Sequence, residues 1–483
     1  MEMQDRHIVA IDLGTSKLAL IVAKVTGSNV QVVYYKETPS AGIRYSSVFN
    51  PSHASGPLAK AISDAEAALG LKITQVVAGM PKYPIRVESN TGKIEGRGAD
   101  ADITAENIAD LKRSAQDLYP LDNPETEAVY GAVAQSFSDG ENFQIIEDEI
   151  VGMSSDILEG NFKIFIGKRG PLGKIDTVLK KAGVVPIRKY FTADTTAKAV
   201  LTESEMENGV AMIDFGGGCT SVSVYCGNIM RHYASIPFGG NNITNDIQIE
   251  SEGSINKTLA ENIKLAFGAC MPEKLQNMGD KIIHIKSSNG EADKKLPVKY
   301  LSEIISARTE EIMMALLYEI HRSGYADKLR SGIVVTGGGA QLTNLGNFIY
   351  DLSGYRVRTG YPKNTFSCQD CEGVTDTSAT TALGLIMAAA NDRTLNCAVS
   401  EEAGAGFQTQ EQEHTTAQEK TEEGQAGETL FPDEPVEAAA YTEEKKEKKR
   451  KEKKLTWNPI EKIAGLFDNI YETVNQDTDT QKK

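Results

Sequence analysis

Three glycine-rich turns in this chain have the residue types of phosphate-binding loops. They are Asp12-Leu13-Gly14-Thr15-Ser16-Lys17, Asp214-Phe215-Gly216-Gly217-Gly218 and Thr336-Gly337-Gly338-Gly339, and each follows an apolar run. Glycine lets backbone N–H groups approach phosphate oxygens closely, and successive N–H groups in a tight turn form an anion-binding nest. Each turn alone is also compatible with an ordinary hairpin or a strand–helix corner. The three together favour a phosphate site.

Two aspartates add a metal ion to this prediction. Asp12 and Asp214 each end an apolar run, immediately before a glycine turn. Mg²⁺ prefers one or two carboxylates, with water and phosphate oxygens as its other ligands. We therefore expect Asp12 and Asp214 to hold Mg²⁺ beside the phosphates.

The commoner nucleotide-binding motifs are absent from the sequence. No GxxxxGK[ST] is present, and the turn at 337–339 departs from GxGxxG because Leu342 occupies the last glycine position. This excludes a Walker-type loop and a dinucleotide-binding fingerprint at these turns.

The first two turns lie in segments of similar design. VAIDLGTSKLALIV (9–22) and VAMIDFGGGCTSVSV (210–224) each contain an apolar strand, Asp-x-Gly, a small polar turn and then alternating apolar residues. Both patterns predict a β-hairpin. Their distance along the chain indicates a duplicated α/β domain with a cleft between its halves. The third turn is predicted to join a buried strand to a helix.

Length and composition limit the protein class. The chain has 483 residues with a formal net charge of −16, so we expect more than one core and no nucleic-acid partner. Six cysteines in so long a chain exclude a disulfide-framed secreted domain. No run of 18 apolar residues is present, and the N-terminal segment lacks a signal-peptide pattern. The sequence therefore predicts a cytoplasmic protein.

The composition changes after the predicted globular part. Residues 395–444 contain 13 acidic residues and one lysine, with few aliphatic residues, so 393–444 is predicted to be a disordered linker. The run at 445–454, KKEKKRKEKK, is polybasic. Residues 455–475 then regain apolar periodicity, and Asn458, Pro459 and Glu461 form a helix start.

The C-terminal helix is predicted to bind a membrane surface. Its proposed lipid-facing residues are Trp457, Ile460, Ile463, Leu466, Phe467 and Ile470. The helix itself is slightly acidic, but the polybasic run can supply attraction to anionic lipid. The alternative is a helix that docks into a partner's groove.

The three turns resemble motifs of a known superfamily. They are similar to the first-phosphate, second-phosphate and adenosine motifs of actin, sugar kinases and heat-shock chaperones. Within that superfamily, the chain resembles the FtsA family of bacterial cell-division proteins. The resemblance covers roughly residues 7–392 and the C-terminal helix. It also includes IPFGGNNITNDI (236–247), AENIK (260–264), YLSEIISARTEEI (300–312) and VLTESE (200–205).

The resemblance implies a duplicated, actin-like (ribonuclease-H-like) α/β fold. The first half would span 1–200, with an FtsA-type subdomain inserted at about 82–160, between strands 73–81 and 161–168. The second half would span 201–392, with an upper nucleotide lobe at about 246–324. Amphipathic residues 102–118 would form a helix in the insertion.

The resemblance also implies an ATP site. The phosphates would contact the turns at Gly14, Thr15, Ser16 and Lys17 and at Gly216, Gly217 and Gly218, with Gly337, Gly338 and Gly339 at the adenosine. Glu261 and Lys264 match the pair that contacts ribose and adenine. They lie one helical turn apart, so a solvated ion pair is the alternative.

Two departures from the family pattern predict slow hydrolysis. Cys219 stands where the family usually has a phosphate-bonding threonine, and a thiol is a poor substitute for a hydroxyl. Thr192 stands where a water-orienting Glu or Gln is common, and Asp194 is the remaining catalytic candidate in that helix. We therefore expect ATP binding with at most slow ATPase activity.

The function implied by the resemblance is membrane tethering of the division ring. The chain would anchor the tubulin-like protein FtsZ to the cytoplasmic face of the plasma membrane at the septum and polymerise with itself. Arg308 and Glu311 match positions that dock the FtsZ C-terminal peptide, although they also suit an ordinary charged helix face. The alternatives are a pilus-assembly adaptor of the same fold and a sugar kinase.

One further motif is weak. Cys368 and Cys371 have CxxC spacing, but no second pair or nearby histidine completes a zinc site. Two reduced loop thiols are the simpler interpretation.

Overall fold

The computed structural model describes residues 5–98, 100–251, 255–285, 294–369 and 371–400. The first half contains β1 (Arg6–Leu13), β2 (Lys17–Thr26), β3 (Asn29–Pro39), β4 (Ile43–Arg44), β5 (Ser47–Val48), α1 (Pro51–Leu69), β6 (Leu71–Ile73) and β7 (Gln75–Gly79). An inserted unit follows, with β8 (Ile85–Ile94), α2 (Ala105–Asp117), β9 (Glu127–Ser138), α3 (Glu147–Ile150) and β10 (Leu158–Lys168). The chain then forms α4 (Arg169–Lys181), β11 (Val185–Tyr190), α5 (Thr192–Val200) and α6 (Glu203–Asn208).

The second half starts with a similar series of strands. Its elements are β12 (Val210–Phe215), β13 (Thr220–Cys226), β14 (Ile229–Ile236), α7 (Gly240–Glu250), α8 (Lys257–Phe267), β15 (Ile282–Ile285), β16 (Lys294–Pro297), α9 (Val298–Arg322), β17 (Ile333–Thr336), α10 (Leu345–Ser353) and β18 (Val357–Thr359). The remaining elements are β19 (Ser367–Cys368), α11 (Thr380–Ala390) and β20 (Ala398–Ser400).

Two sheets share the same arrangement of five strands, and β19 adds a sixth strand to the first sheet. The strand orders are β11-β7-β1-β2-β3-β19 and β14-β13-β12-β17-β18. In each sheet, an antiparallel three-strand meander is extended by two parallel strands on the side of its first strand. This repeated order confirms the predicted duplication and both hairpins.

The two hairpins also turn in the same way. A Cβ added to Gly14 would lie 2.5 Å from the Lys17 carbonyl oxygen, and one added to Gly216 would lie 2.6 Å from the Cys219 carbonyl oxygen. A side chain would overlap the backbone at both positions, so both turns require glycine.

The first sheet is covered by helices on both faces. α1 and α4 pack on one face and α11 packs on the other. The central strand β1 is therefore apolar on both sides, and Ile8 to Ile11 are fully buried. α5 crosses α11 closely, because a Cβ at Gly384 would lie 2.5 Å from the Thr195 carbonyl oxygen.

The inserted unit is a three-stranded antiparallel sheet with α2 packed on it. Its strand order is β8-β10-β9. The sequence places strand 161–168 just after the insertion, but these residues belong to β10, the central strand of the small sheet. The apolar pattern of β10 suits either sheet, and only its pairing decides between them.

The described part of the chain continues into the segment predicted as linker. β20 pairs with β6, and Leu395 and Cys397 are buried. Arg6 donates hydrogen bonds to the carbonyls of Ala390, Asp392 and Leu395, which holds this segment at the first sheet. The rest of the predicted linker, the polybasic run at 445–454 and the helix at 455–475 lie outside the described residues.

Within the described ranges, no helix has both the length and the apolar character needed to cross a bilayer.

Candidate functional site

The predicted first phosphate loop follows β1 and accepts hydrogen bonds from two neighbouring serines. Asp12 pairs with Ala19 across the hairpin. Ser40 Oγ donates to the Gly14 carbonyl at 2.7 Å, and the Ser46 N–H donates to Thr15 Oγ1 at 2.9 Å.

The second phosphate loop lies against the start of α7. The Gly240 N–H donates to the Gly216 carbonyl at 3.0 Å, and the Asn241 N–H donates to the Gly217 carbonyl at 2.8 Å. Ser16 Oγ of the first loop donates to Asn241 Oδ1 at 2.9 Å. The start of α7 therefore contacts both loops.

The two loops also contact each other directly. A Cβ at Gly217 would overlap Ser16 Oγ, and one at Gly218 would lie 2.6 Å from Thr15 Cγ2. Thr15, Ser16, Gly217 and Gly218 are therefore brought together by the fold, as the phosphate-site prediction requires.

The third loop closes against the second. Thr336 pairs with Asp214 in parallel strands. Gly337 has φ +85°, and a Cβ there would lie 2.6 Å from Asp214 Oδ1. A Cβ at Gly339 would overlap the Phe215 ring, whereas Gly338 has open space. Gly338 is thus the glycine of this loop that could carry a side chain without a clash.

Lys82 forms an ion pair with Asp214, and its charge also acts on the nearby carboxylate of Asp12. Lys82 Nζ lies 2.5 Å from Asp214 Oδ2 and donates to Thr381 Oγ1 at 3.1 Å. Burial raises the pKa of Asp12 above its ordinary value; Lys82 opposes this shift and Asp214 adds to it. Burial alone would lower the pKa of Lys82, but Asp214 and Asp12 hold it above its ordinary value.

The donor set suits Mg²⁺ held mainly by water and phosphate. Two carboxylates converge at the phosphate loops, and the described residues contain no group of three or more potential metal ligands. Mg²⁺ in phosphate sites commonly has this few protein ligands, so Asp12 and Asp214 fit the predicted role.

Lys17 has an acidic partner on the neighbouring strand of the same sheet. Its ammonium forms an ion pair with Glu37 of β3. Glu37 also accepts hydrogen bonds from Tyr35 OH at 2.5 Å and Ser378 Oγ at 3.0 Å. Lys17 is therefore at the loop, but its charge is already paired.

Glu261 and Lys264 are not a solvated pair. Lys264 is only 9% exposed; its Nζ donates to Glu261 Oε2 at 2.8 Å, to the Gly240 carbonyl at 3.0 Å and to Thr244 Oγ1 at 2.8 Å. Burial lowers the pKa of Lys264, and Glu261 opposes that shift. This network ties α8 to the start of α7, beside the second phosphate loop.

Neither Cys219 nor the hydroxyl of its neighbour Thr220 is free to replace the family's phosphate-bonding threonine. Burial raises the pKa of the Cys219 thiol to about 12, so it is neutral at physiological pH. Thr220 Oγ1 donates to the Phe238 carbonyl at 2.8 Å.

The hydrolysis candidates in α5 differ in their environment. Thr192 is 1% exposed, and among the residues that the structure describes its Oγ1 has no hydrogen-bond partner. Its methyl group packs against Gly79, where an added Cβ would lie 2.6 Å from Thr192 Cγ2 and 3.9 Å from Asp12 Oδ1. Asp194 instead forms an ion pair with Lys198 at 2.8 Å.

The residues expected to dock FtsZ lie on α9. Arg308 forms two hydrogen bonds to Asp246 of α7, at 2.5 and 3.0 Å, and a third to Glu311 at 2.6 Å. The Glu311 side chain is 65% exposed, so it is the more accessible of the two. Arg308 also has a structural role in joining α9 to α7.

Sequence reasoning missed Lys82 and Ser46. Lys82 follows the carboxyl end of β7, where ligand-binding residues of α/β sheets concentrate, and that position was an available signal. Ser46 lies between two strands of two residues each and had no such signal. The weak CxxC pair belongs to no group of three or more potential metal ligands in the described part of the chain; Cys368 is exposed, and Cys371 Sγ donates to the Val32 carbonyl at 3.7 Å.

Known proteins resemble this chain in sequence and in fold. The family model "Cell division protein FtsA" matches residues 211–384. Cell division protein FtsA of Neisseria meningitidis serogroup B is 30% identical over 419 residues, which covers 84% of this chain and 97% of that protein. The FtsA protein of Pseudomonas aeruginosa is 27% identical, covering 79% of this chain and 89% of its own length.

A solved structure supports the same fold at lower identity. The PilM–PilN type IV pilus biogenesis complex contains a chain with a TM-score of 0.53 and 14% identity, which covers 80% of this chain and 99% of that one. A sequence identity this low supports a shared fold and nothing further, and that fold is actin-like. From the sequence relatives, the chain belongs to the FtsA family of cell division proteins.

Proposed function

We propose that the cleft binds ATP together with Mg²⁺. The turns at Gly14–Ser16 and Gly216–Gly218 would hold the phosphates, and Asp12 and Asp214 would hold the metal ion through water. Bound Mg²⁺ would neutralise charge on the phosphate oxygens. Glu261 and Lys264 would contact the ribose and adenine, and the Gly337–Gly339 turn would lie at the adenosine.

The observation that supports this proposal is the convergence of three loops from distant parts of the chain. Gly217 lies against Ser16, and Gly337 lies against Asp214, both at distances that exclude a side chain. Local hairpin geometry alone would not require glycine at these contacts between separate loops.

Hydrolysis is proposed to be slow. The neutral thiol of Cys219 and the hydroxyl of Thr192 stand where a phosphate-bonding hydroxyl and a water-orienting side chain would accelerate the reaction. Asp194 is engaged by Lys198, which leaves it less available to orient water.

We further propose that the protein anchors FtsZ at the cytoplasmic face of the plasma membrane and polymerises with itself at the septum. Membership of a cell-division family supports the cellular role. The polybasic run and the apolar periodicity after it support membrane contact. The exposed Glu311 and its neighbour Arg308 are the proposed contacts for the FtsZ C-terminal peptide.

The two alternatives need different features. A pilus-assembly adaptor of the same fold would need no lipid-binding tail. A sugar kinase would need a substrate carboxylate in the cleft and would show sugar-dependent ATP turnover. Family membership favours the division role over both.

The cleft assignment is tested by Gly338→Arg. Gly338 has open space, so the variant should fold, but a bulky cation at the adenosine loop should abolish ATP binding measured by calorimetry. The control is Gly173→Arg in α4, which is also unobstructed and lies outside the cleft. Unchanged ATP affinity in a folded Gly338→Arg protein would contradict the assignment.

A further inference from the structure

Lys82 is placed in the cleft by a short connection between two sheets. It lies three residues after β7, where the chain leaves the first sheet for the inserted unit. Its side chain is only 14% exposed, and its Nζ contacts Asp214 and Thr381. A long cationic side chain is seldom this buried without an anionic partner.

Both halves of the fold hold the backbone of Lys82. Its N–H donates to Ser46 Oγ at 3.4 Å, and its carbonyl accepts from Tyr233 OH at 2.9 Å. Ser46 also holds Thr15 of the first phosphate loop through its N–H, and Tyr233 belongs to β14 of the second half. The lysine is therefore positioned by the elements that form the cleft.

The partner of Lys82 is a residue that the metal ion would also engage. Lys17 is paired with Glu37 and Lys264 with Glu261, neither of which is a proposed metal ligand. Lys82 instead pairs with Asp214. When Mg²⁺ engages Asp214, the ammonium of Lys82 loses part of its counter-charge and is next to the phosphate loops.

We infer that Lys82 binds the terminal phosphate of a nucleoside triphosphate and makes the cleft prefer the triphosphate to the diphosphate. This inference rests on the proposed nucleotide site. In the free protein Lys82 neutralises Asp214, and in the complex the third phosphate supplies the anion that replaces this carboxylate. A diphosphate lacks that group, so it gains nothing from Lys82.

The test compares ATP and ADP affinities, each with Mg²⁺, by calorimetry. Lys82→Met should weaken ATP binding by about tenfold to a hundredfold, the range for a charge-assisted hydrogen bond, and leave ADP affinity nearly unchanged. Lys82→Arg keeps a cation and should retain most of the preference. The matched control is Lys189→Met, which removes a lysine paired with Asp176 at 2.6 Å outside the cleft.

The outcomes separate this inference from the proposed function. A parent protein that binds neither nucleotide would overturn the nucleotide site itself. If the parent binds ATP and ADP, two results for Lys82→Met would overturn only the role of Lys82. One is an equal loss of affinity for the two nucleotides, and the other is an unchanged preference for ATP. If the buried, unpaired Asp214 prevents folding of Lys82→Met, the same comparison is made with Lys82→Gln, whose amide can still donate a hydrogen bond to Asp214 but carries no charge, and the preference for ATP should again fall.

Discussion

Glu319 is a buried carboxylate that depends on its neighbours for its charge. It lies on α9, is 6% exposed, and contacts His232 Nε2 at 3.2 Å and Arg322 Nη1 at 3.0 Å. Burial raises its pKa, but the hydrogen bond from His232 and the charge of Arg322 outweigh burial and hold the pKa below its ordinary value. The ionised form is therefore the one that the folded state stabilises.

This lowered pKa predicts acid sensitivity with a definite sign. The stabilisation from Glu319 is fully present above the ordinary glutamate pKa of 4.5 and is lost as pH falls through the lowered folded value. Glu319→Gln should cost about 1–3 kcal/mol in the free energy of unfolding near neutral pH, and the difference from the parent should shrink below about pH 4. Urea unfolding of the parent and of Glu319→Gln, near neutral pH and below about pH 4, measures this difference in stability.

Glu310→Gln on the same helix is the control, because Glu310 is exposed. It should change little at either pH. A pH-independent difference between the parent and Glu319→Gln would mean that packing, rather than charge, dominates at this position.

The sequence predicted residues whose chemistry is local and missed those whose role depends on tertiary contacts. Gly14 and Gly216 form the same turn, and an Asp-x-Gly pattern is visible in any single strand–turn segment. The position of Lys82 after β7 was a signal in the sequence, but its partner Asp214 is identified only when the two halves are brought together across the cleft. Likewise, spacing could not show that Lys264 is buried.

At the scale of elements, two glycines make room for α2 on the small sheet. Gly92 of β8 and Gly160 of β10 are direct neighbours in the antiparallel register. Their Cβ positions would lie 2.9 and 3.0 Å from the two Cδ atoms of Leu111. Leu111 is 1% exposed and therefore fills a depression in the sheet that these glycines create.

This packing predicts a large cost for Leu111→Ala. Removing a buried leucine side chain leaves a cavity, so we expect a loss of about 2–5 kcal/mol in the stability of the inserted unit, measured by hydrogen exchange in β8 and β10. Leu118→Ala at the end of the same helix is the control, because Leu118 is 77% exposed. Equal losses from the two variants would show that α2 does not pack on the sheet as described.

The hairpins and the α2 helix were predictable, but the boundary of the inserted unit was not. Alternating or periodic apolar residues report which face of an element is buried. They do not report which sheet covers that face. β10 is as apolar as a strand of the first sheet, and only its pairing with β8 and β9 assigns it to the small sheet.

At the scale of the whole molecule, the cleft is formed by segments from both duplicated halves. Asp12 is the last residue but one of β1 in one sheet, and Asp214 has the same position in the corresponding strand β12 of the other. Ser16 reaches Asn241, and Lys82 reaches Asp214, so each contact joins one half to the other. A ligand bound between the loops would therefore contact both halves of the fold.

The C-terminal region is where the proposed membrane role can be tested apart from the nucleotide site. An interfacial helix binds lipid by burying apolar side chains. The polybasic run at 445–454 adds an electrostatic attraction to anionic lipid, which salt weakens. Ile463→Asp or Phe467→Glu should release the protein from anionic liposomes in co-sedimentation even at low salt. Neutralising several lysines of 445–454 should weaken binding mainly to anionic vesicles, and added salt should have the same effect on the parent.

Asn469→Asp is the matched control for Ile463→Asp, because it adds the same charge on the opposite, polar side of the predicted helix and should leave liposome binding in place. Deleting 455–483 should remove liposome binding. In a separate assay without liposomes, the truncated protein, like the parent, should still sediment with polymerised FtsZ. A helix that docks into a partner's groove would respond differently, since the apolar substitutions would abolish one protein association without affecting lipid. If the parent fails to bind anionic liposomes with ATP present, at concentrations that allow self-association, the membrane tether is wrong, and docking of the C-terminal helix into a partner's groove becomes the better explanation of its apolar periodicity.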